Sequence, residues 1–254
     1  MIIDTHAHLY YPEILGQLEE ILLRARDAGV EKIIAPAIDL ETSKTVLELS
    51  EKHEMIYCAI GIHPCDVNKN ELDAIDEIEK LLDHEKVLAI GETGLDYYWD
   101  TSNAEKQKSF FQLQIELAKS HKLPIVIHTR NSTKDAIDII CENYDEDLRG
   151  QFHCFSGNET QLNQILNLNN FYISFCGNIT YKNFTDTDLI LKAPNNRILS
   201  ETDSPFLTPV PFRGKKNEPS YIIHTLSTIA DIKEIDRSEL LKTILKNVNN
   251  LFFD

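Results

Sequence analysis

Short apolar runs rich in β-branched residues alternate with longer amphipathic stretches from one end of the chain to the other. The runs at 2–5, 32–37, 56–60, 87–90, 124–127, 150–153, 171–175 and 197–199 have the length and composition of buried strands. Between them, apolar residues recur at the spacing of one helix face. Leu15, Leu18, Leu22 and Ala25 form one such stripe, Leu72, Ile75, Ile78 and Leu82 a second, and Phe111, Ile115 and Ala118 a third. Leu241, Ile244, Leu245, Val248 and Phe252 predict a closing helix. The seventh unit is the weakest, with only a short helix over 185–192 after its strand. Strands that are nearly all followed by a helix predict an α/β chain folded as a parallel eight-stranded (β/α)8 barrel. With no Gly/Ser linker, low-complexity tract or abrupt change of composition, a single domain over 1–254 is expected. A doubly wound open sheet is the alternative, but it does not gather side chains from five separate strand ends at one point.

The chain has 254 residues and a formal net charge of -16. That balance excludes a general nucleic-acid coat, because non-specific binding to phosphates relies on a basic surface. It leaves open an enzyme that meets phosphate through metal ions and a few local cations. Five cysteines without a Cys-x-x-Cys pair read as reduced thiols. With no signal-like N-terminus and no apolar run long enough to span a bilayer, the expected setting is cytoplasmic and away from membranes.

Chemistry enters at the strand ends. His6 and His8 close the first run one residue apart, so their side chains can project to the same side. Glu92, His128, His153 and Asp203 follow at the ends of the fourth, fifth, sixth and eighth runs. In a parallel barrel those ends converge on one mouth, where polar residues usually serve chemistry. A single strand-end histidine is ordinarily a surface or hydrogen-bonded core residue; agreement among six positions is what carries weight. Four histidines and two carboxylates without a thiolate exceed the needs of a structural zinc site and suit two divalent ions ~4 Å apart. Glu92 is the natural bridge, with His6, His8 and Asp203 on one ion and His128 and His153 on the other. Such mixed ligands suit Zn²⁺, Mn²⁺ or Fe²⁺, whereas Mg²⁺ generally prefers oxygen. His53, His84, His121 and His224 fall in or at the ends of helical patterns and read as solvated.

The motifs Asp4-x-His6-x-His8, Gly61-Ile62-His63-Pro64, Gly91-Glu92-x-Gly94-Leu95-Asp96-Tyr97-Tyr98, Pro124-x-x-x-His128-x-Arg130, His153-Cys154-Phe155-Ser156-Gly157, Glu201-Thr202-Asp203-Ser204-Pro205 and Arg213-Gly214-Lys215-x-Asn217-Glu218-Pro219 resemble the TatD-type metal-dependent deoxyribonucleases of the metal-dependent hydrolase superfamily. The resemblance runs from Asp4 to Pro219 in motif order. It implies the (β/α)8 fold and metal ligands at His6, His8, Glu92, His128, His153 and Asp203. Many members of the superfamily carry a bridging lysine on strand 4, and Glu92 in its place points to the TatD branch. Mg²⁺ is often used by these relatives. Lys216 and Asn131 depart from the common pattern, where arginine and an acidic residue are frequent. Glu201 stands where some relatives hold an additional ion; otherwise it orients a ligand.

The expected reaction is hydrolysis of DNA phosphodiesters by a metal-activated water in a binuclear site, with Asp203 as proton acceptor and Glu92 as bridge. The acidic balance predicts short, local contact with DNA and hence trimming from single-stranded or frayed ends. His63, Arg130, Arg213 and Lys215, with Lys216 a weaker candidate, are the expected phosphate contacts, and Tyr97, Tyr98 and Trp99 are candidates for stacking on an unpaired base. The rival readings are an amidohydrolase or esterase acting on a small C–N or C–O bond, such as an aminoacyl ester on tRNA, and a non-catalytic metal-binding adaptor. The composition is compatible with a monomer.

Overall fold

The apolar runs fold as eight strands in a computed structural model that describes residues 1–99 and 101–254. They are β1 (Ile2–Asp4), β2 (Val30–Pro36), β3 (Ile56–Ile60), β4 (Val87–Asp96), β5 (Ile125–Arg130), β6 (Gly150–Phe152), β7 (Phe171–Phe175) and β8 (Ile198–Ser200). They lie in one sheet in sequence order, parallel in every described ladder. This order and the helical connections between successive strands are those of the (β/α)8 class. Among the described residues, no helix is long and apolar enough to cross a membrane.

The chain divides into two compact units, Met1–Ala35 with Ile173–Asp254, and Pro36–Tyr172. In the first, β8 runs beside β1. Thr5 N–H donates to Ser200 O at 2.9 Å, the Ser200 hydroxyl donates to Ile3 O at 2.6 Å, and Ala7 forms a parallel bridge with Ser204. The closing helix is Arg237–Phe252, started by Asp236, whose carboxylate accepts from the N–H groups of Ser238 and Glu239. Ile244, Val248 and Phe252 are buried as the pattern predicts, joined by Leu240 and Leu251, whereas Leu241 and Leu245 are only half-buried. On the same helix, the Asn247 amide donates to Asn195 O and Ile198 O, both at 2.8 Å, and so holds the helix to the start of β8.

In the second unit, the helix Ala104–Ser120 buries Phe110, Phe111, Ile115 and Ala118. Two buried glutamines on it satisfy backbone groups that the strand ends leave open. Gln114 accepts from Ile62 N–H at 2.8 Å and donates to Ile62 O and to the Thr93 hydroxyl. Gln107 accepts from Asp96 N–H at 2.8 Å and donates to Asp96 O at 3.0 Å. Buried amides retained in a core need such complete pairing, and here it anchors the ends of β3 and β4.

Two departures from the pattern have local causes. Leu15 and Leu72 are exposed because the helices are broken there: Pro12–Leu15 ends at Gly16 before a new helix Leu18–Asp27, and Ala74–Glu79 begins after Leu72. β4 extends to Asp96 instead of stopping at Ile90. Gly91 and Gly94 both serve close strand approach. A Cβ on Gly94, whose φ is +127°, would meet His128 O at 2.2 Å. Between Ile90↔Ile125 and Thr93↔Ile127 the register gains one residue on β4, a bulge that contains Glu92. Gly94→Ala is therefore expected to lower stability by about 3 kcal/mol, from strain plus overpacking, measured by urea unfolding; a loss under ~0.5 kcal/mol would contradict the close-approach account.

Candidate metal centre

Two groups of buried donors form, one in each unit. The first follows from the pairing of the segment after β8 with the segment after β1. Asp203 N–H donates to His6 O and His8 N–H donates to Ser204 O, both at 2.8 Å. Asp4 reinforces this pairing by accepting from Thr202 N–H at 3.0 Å and from its hydroxyl at 2.6 Å. Burial pushes the Asp4 carboxyl up to about 8, against these hydrogen bonds, which favour the ionised form. The pairing brings His6 Nε2 and His8 Nε2 to 3.3 Å, with Asp203 Oδ1 at 3.8 and 3.5 Å from them. All three residues are buried. Asp203 has φ +56°, a left-handed conformation that aspartate and asparagine tolerate better than most residues.

The second group sits on β4 and β5 and just beyond β3 and β6. Glu92 Oε1 lies 3.0 Å from His128 Nδ1, 2.8 Å from His153 Nε2 and 3.6 Å from His63 Nε2. His128 Nδ1 and His153 Nε2 are 3.3 Å apart. The far side of His128 faces Asp96, whose Oδ2 is 3.0 Å from Nε2. With Nε2–H donated to that carboxylate, Nδ1 keeps its lone pair toward Glu92 and His153.

Both groups suit a divalent cation. Two ligands each ~2.1 Å from an ion at tetrahedral or octahedral angles stand about 3.0–3.4 Å apart. The separations of 2.8–3.8 Å bracket that range. His6, His8 and Asp203 offer one such cradle, and His63, Glu92 and His128 another, with His153 against Glu92.

The family description "TatD related DNase" matches residues 3–253. The chain belongs to the TatD-related DNase family. An uncharacterized metal-dependent hydrolase, YabD of Bacillus subtilis, is 43% identical over 253 residues, 99% of each chain. The crystal structure of the TatD homologue YjjV from Escherichia coli superposes with a TM-score of 0.94 at 31% identity, covering 99% of this chain and 97% of that one. A TatD family hydrolase from Entamoeba histolytica gives 0.89 at 27% identity, covering 99% and 98%. The protein is a metal-dependent hydrolase of the TatD family with the (β/α)8 fold.

The remaining predicted site residues of this TatD protein divide by environment. His63, expected as a phosphate donor, stands within reach of the Glu92 carboxylate, and its Nδ1 accepts from Cys65 N–H at 3.1 Å. Glu201 is fully buried and accepts from the Cys176 thiol at 2.9 Å. Lys216 is paired with Glu13 at 2.9 Å. Arg213 lies exposed, its guanidinium 4.0 Å from the centre of the Tyr181 ring, and Lys215 is exposed beside Phe212. Arg130 lies over Tyr98. Tyr10, absent from the sequence reading, places its hydroxyl 3.1 Å from His8 Nδ1 and so orients that ring. Asp96 was also given no role; its signal in the sequence is its place in the Gly91–Tyr98 motif.

Electrostatics couple Asp96 to His128. Burial opposes ionisation of Asp96, but hydrogen bonds with His128 and Tyr98 N–H outweigh it and hold the carboxyl below its ordinary value. Burial likewise opposes charging of His128, and the bonds to Asp96 and Glu92 outweigh it, so this imidazole holds its proton to a higher pH than usual. Protons and metal compete for Nδ1. Zn²⁺ affinity, measured by competition with a chelating dye, is expected to rise with pH across the neutral range. Asp96→Asn removes one cause of the raised value and is expected to move the midpoint of that rise to lower pH; an unmoved midpoint would contradict the coupling.

Proposed function

We propose that this TatD protein hydrolyses phosphodiester bonds of DNA, removing nucleotides from single-stranded or frayed ends. The observation that carries the reading is the presence of two buried imidazole–carboxylate cradles, each spaced for a divalent cation, in a chain whose family description is DNase. We assign one ion to His6, His8 and Asp203 and one to Glu92, His128 and His153, with His63 in reach of the second. Divalent ions held there would acidify a water and offset charge on the phosphate oxygens.

The chain's own residues supply the rest. Asp203 directs Oδ1 at the two imidazoles, and its carboxylate is the proton acceptor for the attacking water. Asp96 and Tyr10 fix the rings of His128 and His8, which sets which nitrogen is presented. Arg130 and, in the other unit, Arg213 and Lys215 are the cations available to phosphate. A net charge of -16 favours short, local contact with phosphate over a long basic groove, and hence an end over an internal site.

End-labelled single strands incubated with Mg²⁺, Mn²⁺ or Zn²⁺ should yield a ladder that shortens from one terminus. Random internal fragments at early times would sink the exonuclease reading. Glu92→Gln and His128→Ala should each reduce cutting by at least about a thousandfold; activity that persisted in both would remove the metal assignment. Asp203→Asn keeps a residue that tolerates a left-handed backbone, so it should leave the thermal midpoint within a few degrees while kcat falls by roughly 10²–10⁴.

A further inference from the structure

The second unit carries an aromatic surface that neither cradle uses. Trp99 is 70% exposed and Tyr98 is 53% exposed, and their rings stand edge to face at 4.9 Å. The Arg130 guanidinium lies 3.7 Å from the centre of the Tyr98 ring and 5.3 Å from that of Trp99. Tyr97 does not belong to this surface: its hydroxyl donates to Asp135 at 3.0 Å and its N–H to Arg130 O at 2.9 Å, so it holds the loop. Single exposed aromatics are ordinary, but two adjoining ones capped by a cation are unusual on so acidic a chain.

Asp96 ties this surface to the cradle. Its Oδ1 accepts from Tyr98 N–H at 2.9 Å while its Oδ2 meets His128 at 3.0 Å. One carboxylate therefore sets both the aromatic pair and a candidate metal ligand. Arg130 ends the strand that carries His128, two residues beyond it. A planar group stacked on the more exposed Trp99 ring, against the edge supplied by Tyr98, would thus have Arg130 beside it for its phosphate and the cradle two residues away along the same strand.

We propose that Tyr98, Trp99 and Arg130 form a stacking subsite for an unpaired nucleobase at the end of the DNA strand. The assignment rests on the nuclease reading above and adds what selects the substrate: a base out of its pair presents a π-face to the platform, and a paired base does not.

Trp99 is the sole tryptophan, so its fluorescence reports on the platform directly. Cleavage-resistant phosphorothioate oligothymidylate, added with Mg²⁺ present, should quench this emission saturably, and an abasic phosphorothioate strand of equal length should not. In cleavage assays the Tyr98→Ala/Trp99→Ala double variant should raise KM for unpaired ends about tenfold and erase the preference for unpaired over blunt ends. Trp99→Phe should restore most of the affinity. Equal quenching by the abasic strand overturns the proposal, as does an unchanged KM in the double variant. A protein that cuts no oligonucleotide with any metal, yet shows base-dependent quenching, defeats the nuclease reading and upholds the platform; base-independent quenching defeats the platform whether or not strands are cut.

Discussion

Ionisable groups held out of water dominate this structure. A buried carboxylate costs several kcal/mol unless donors, a proton or a cation meet it. Glu92 and Asp203 are both buried, and each faces imidazole nitrogens at 2.8–3.8 Å. An imidazole with its lone pair toward such a carboxylate adds to the cost, so the arrangement is most stable with positive charge among the donors. A divalent ion held among the donors would meet that demand. Asp96 shows the complementary solution: it sits on the outer nitrogen of His128, accepts the hydrogen bond from its N–H, and leaves the other nitrogen's lone pair turned inward.

Holding such groups together requires a backbone that cannot relax away from them. Gln107 and Gln114, both on the helix Ala104–Ser120, close the open backbone groups of Asp96 and Ile62. In the other unit, Asp4 grips Thr202, while backbone bonds register His6 and His8 against Asp203 and Ser204. The bulge at Glu92 and the close approach at Gly94 set β4 against β5 at short range. Few of these devices are apolar. Hydrophobic burial gives the strands and helices, and polar pairing at the strand ends decides where the donors point.

That division explains what could be read in advance. β3 and β7 were legible to the residue because they are short apolar runs of β-branched and aromatic residues, isoleucines in β3 and mostly aromatic rings in β7. The six ligand candidates stood out because ionisable residues end such runs, and the structure gathers His6, His8 and Asp203 into one group and Glu92, His128 and His153 into another. β4 was read short because Gly91 and Gly94 imitate a turn, and only the neighbouring strand shows that they permit contact. The stripes through Leu15 and Leu72 failed at helix breaks that periodicity does not register. Asp96 and Tyr10 escaped as functional residues because their roles lie in a hydrogen bond to a ring nitrogen, and spacing along the chain carries no trace of that. His63 was placed at the right rim, but its distance to Glu92 is a tertiary fact. The motifs shared with TatD proteins are the source of the proposed substrate class, which the donor set alone does not distinguish from other hydrolyses.

The two compact units differ in how the chain builds them. Pro36–Tyr172 is continuous, whereas the unit holding His6, His8 and Asp203 joins the first residues to the last third of the chain. During synthesis Glu92, His128 and His153 emerge in succession and can find one another while the chain is still growing. His6 and His8 emerge first of all, yet their carboxylate partner arrives only when most of the protein has been made. Domains made from the N-terminus tend to organise as their segments appear. The donor group that begins at the very start of the sequence is thus the last to be completed, and a truncated product lacking the C-terminal third would present two histidines without their aspartate.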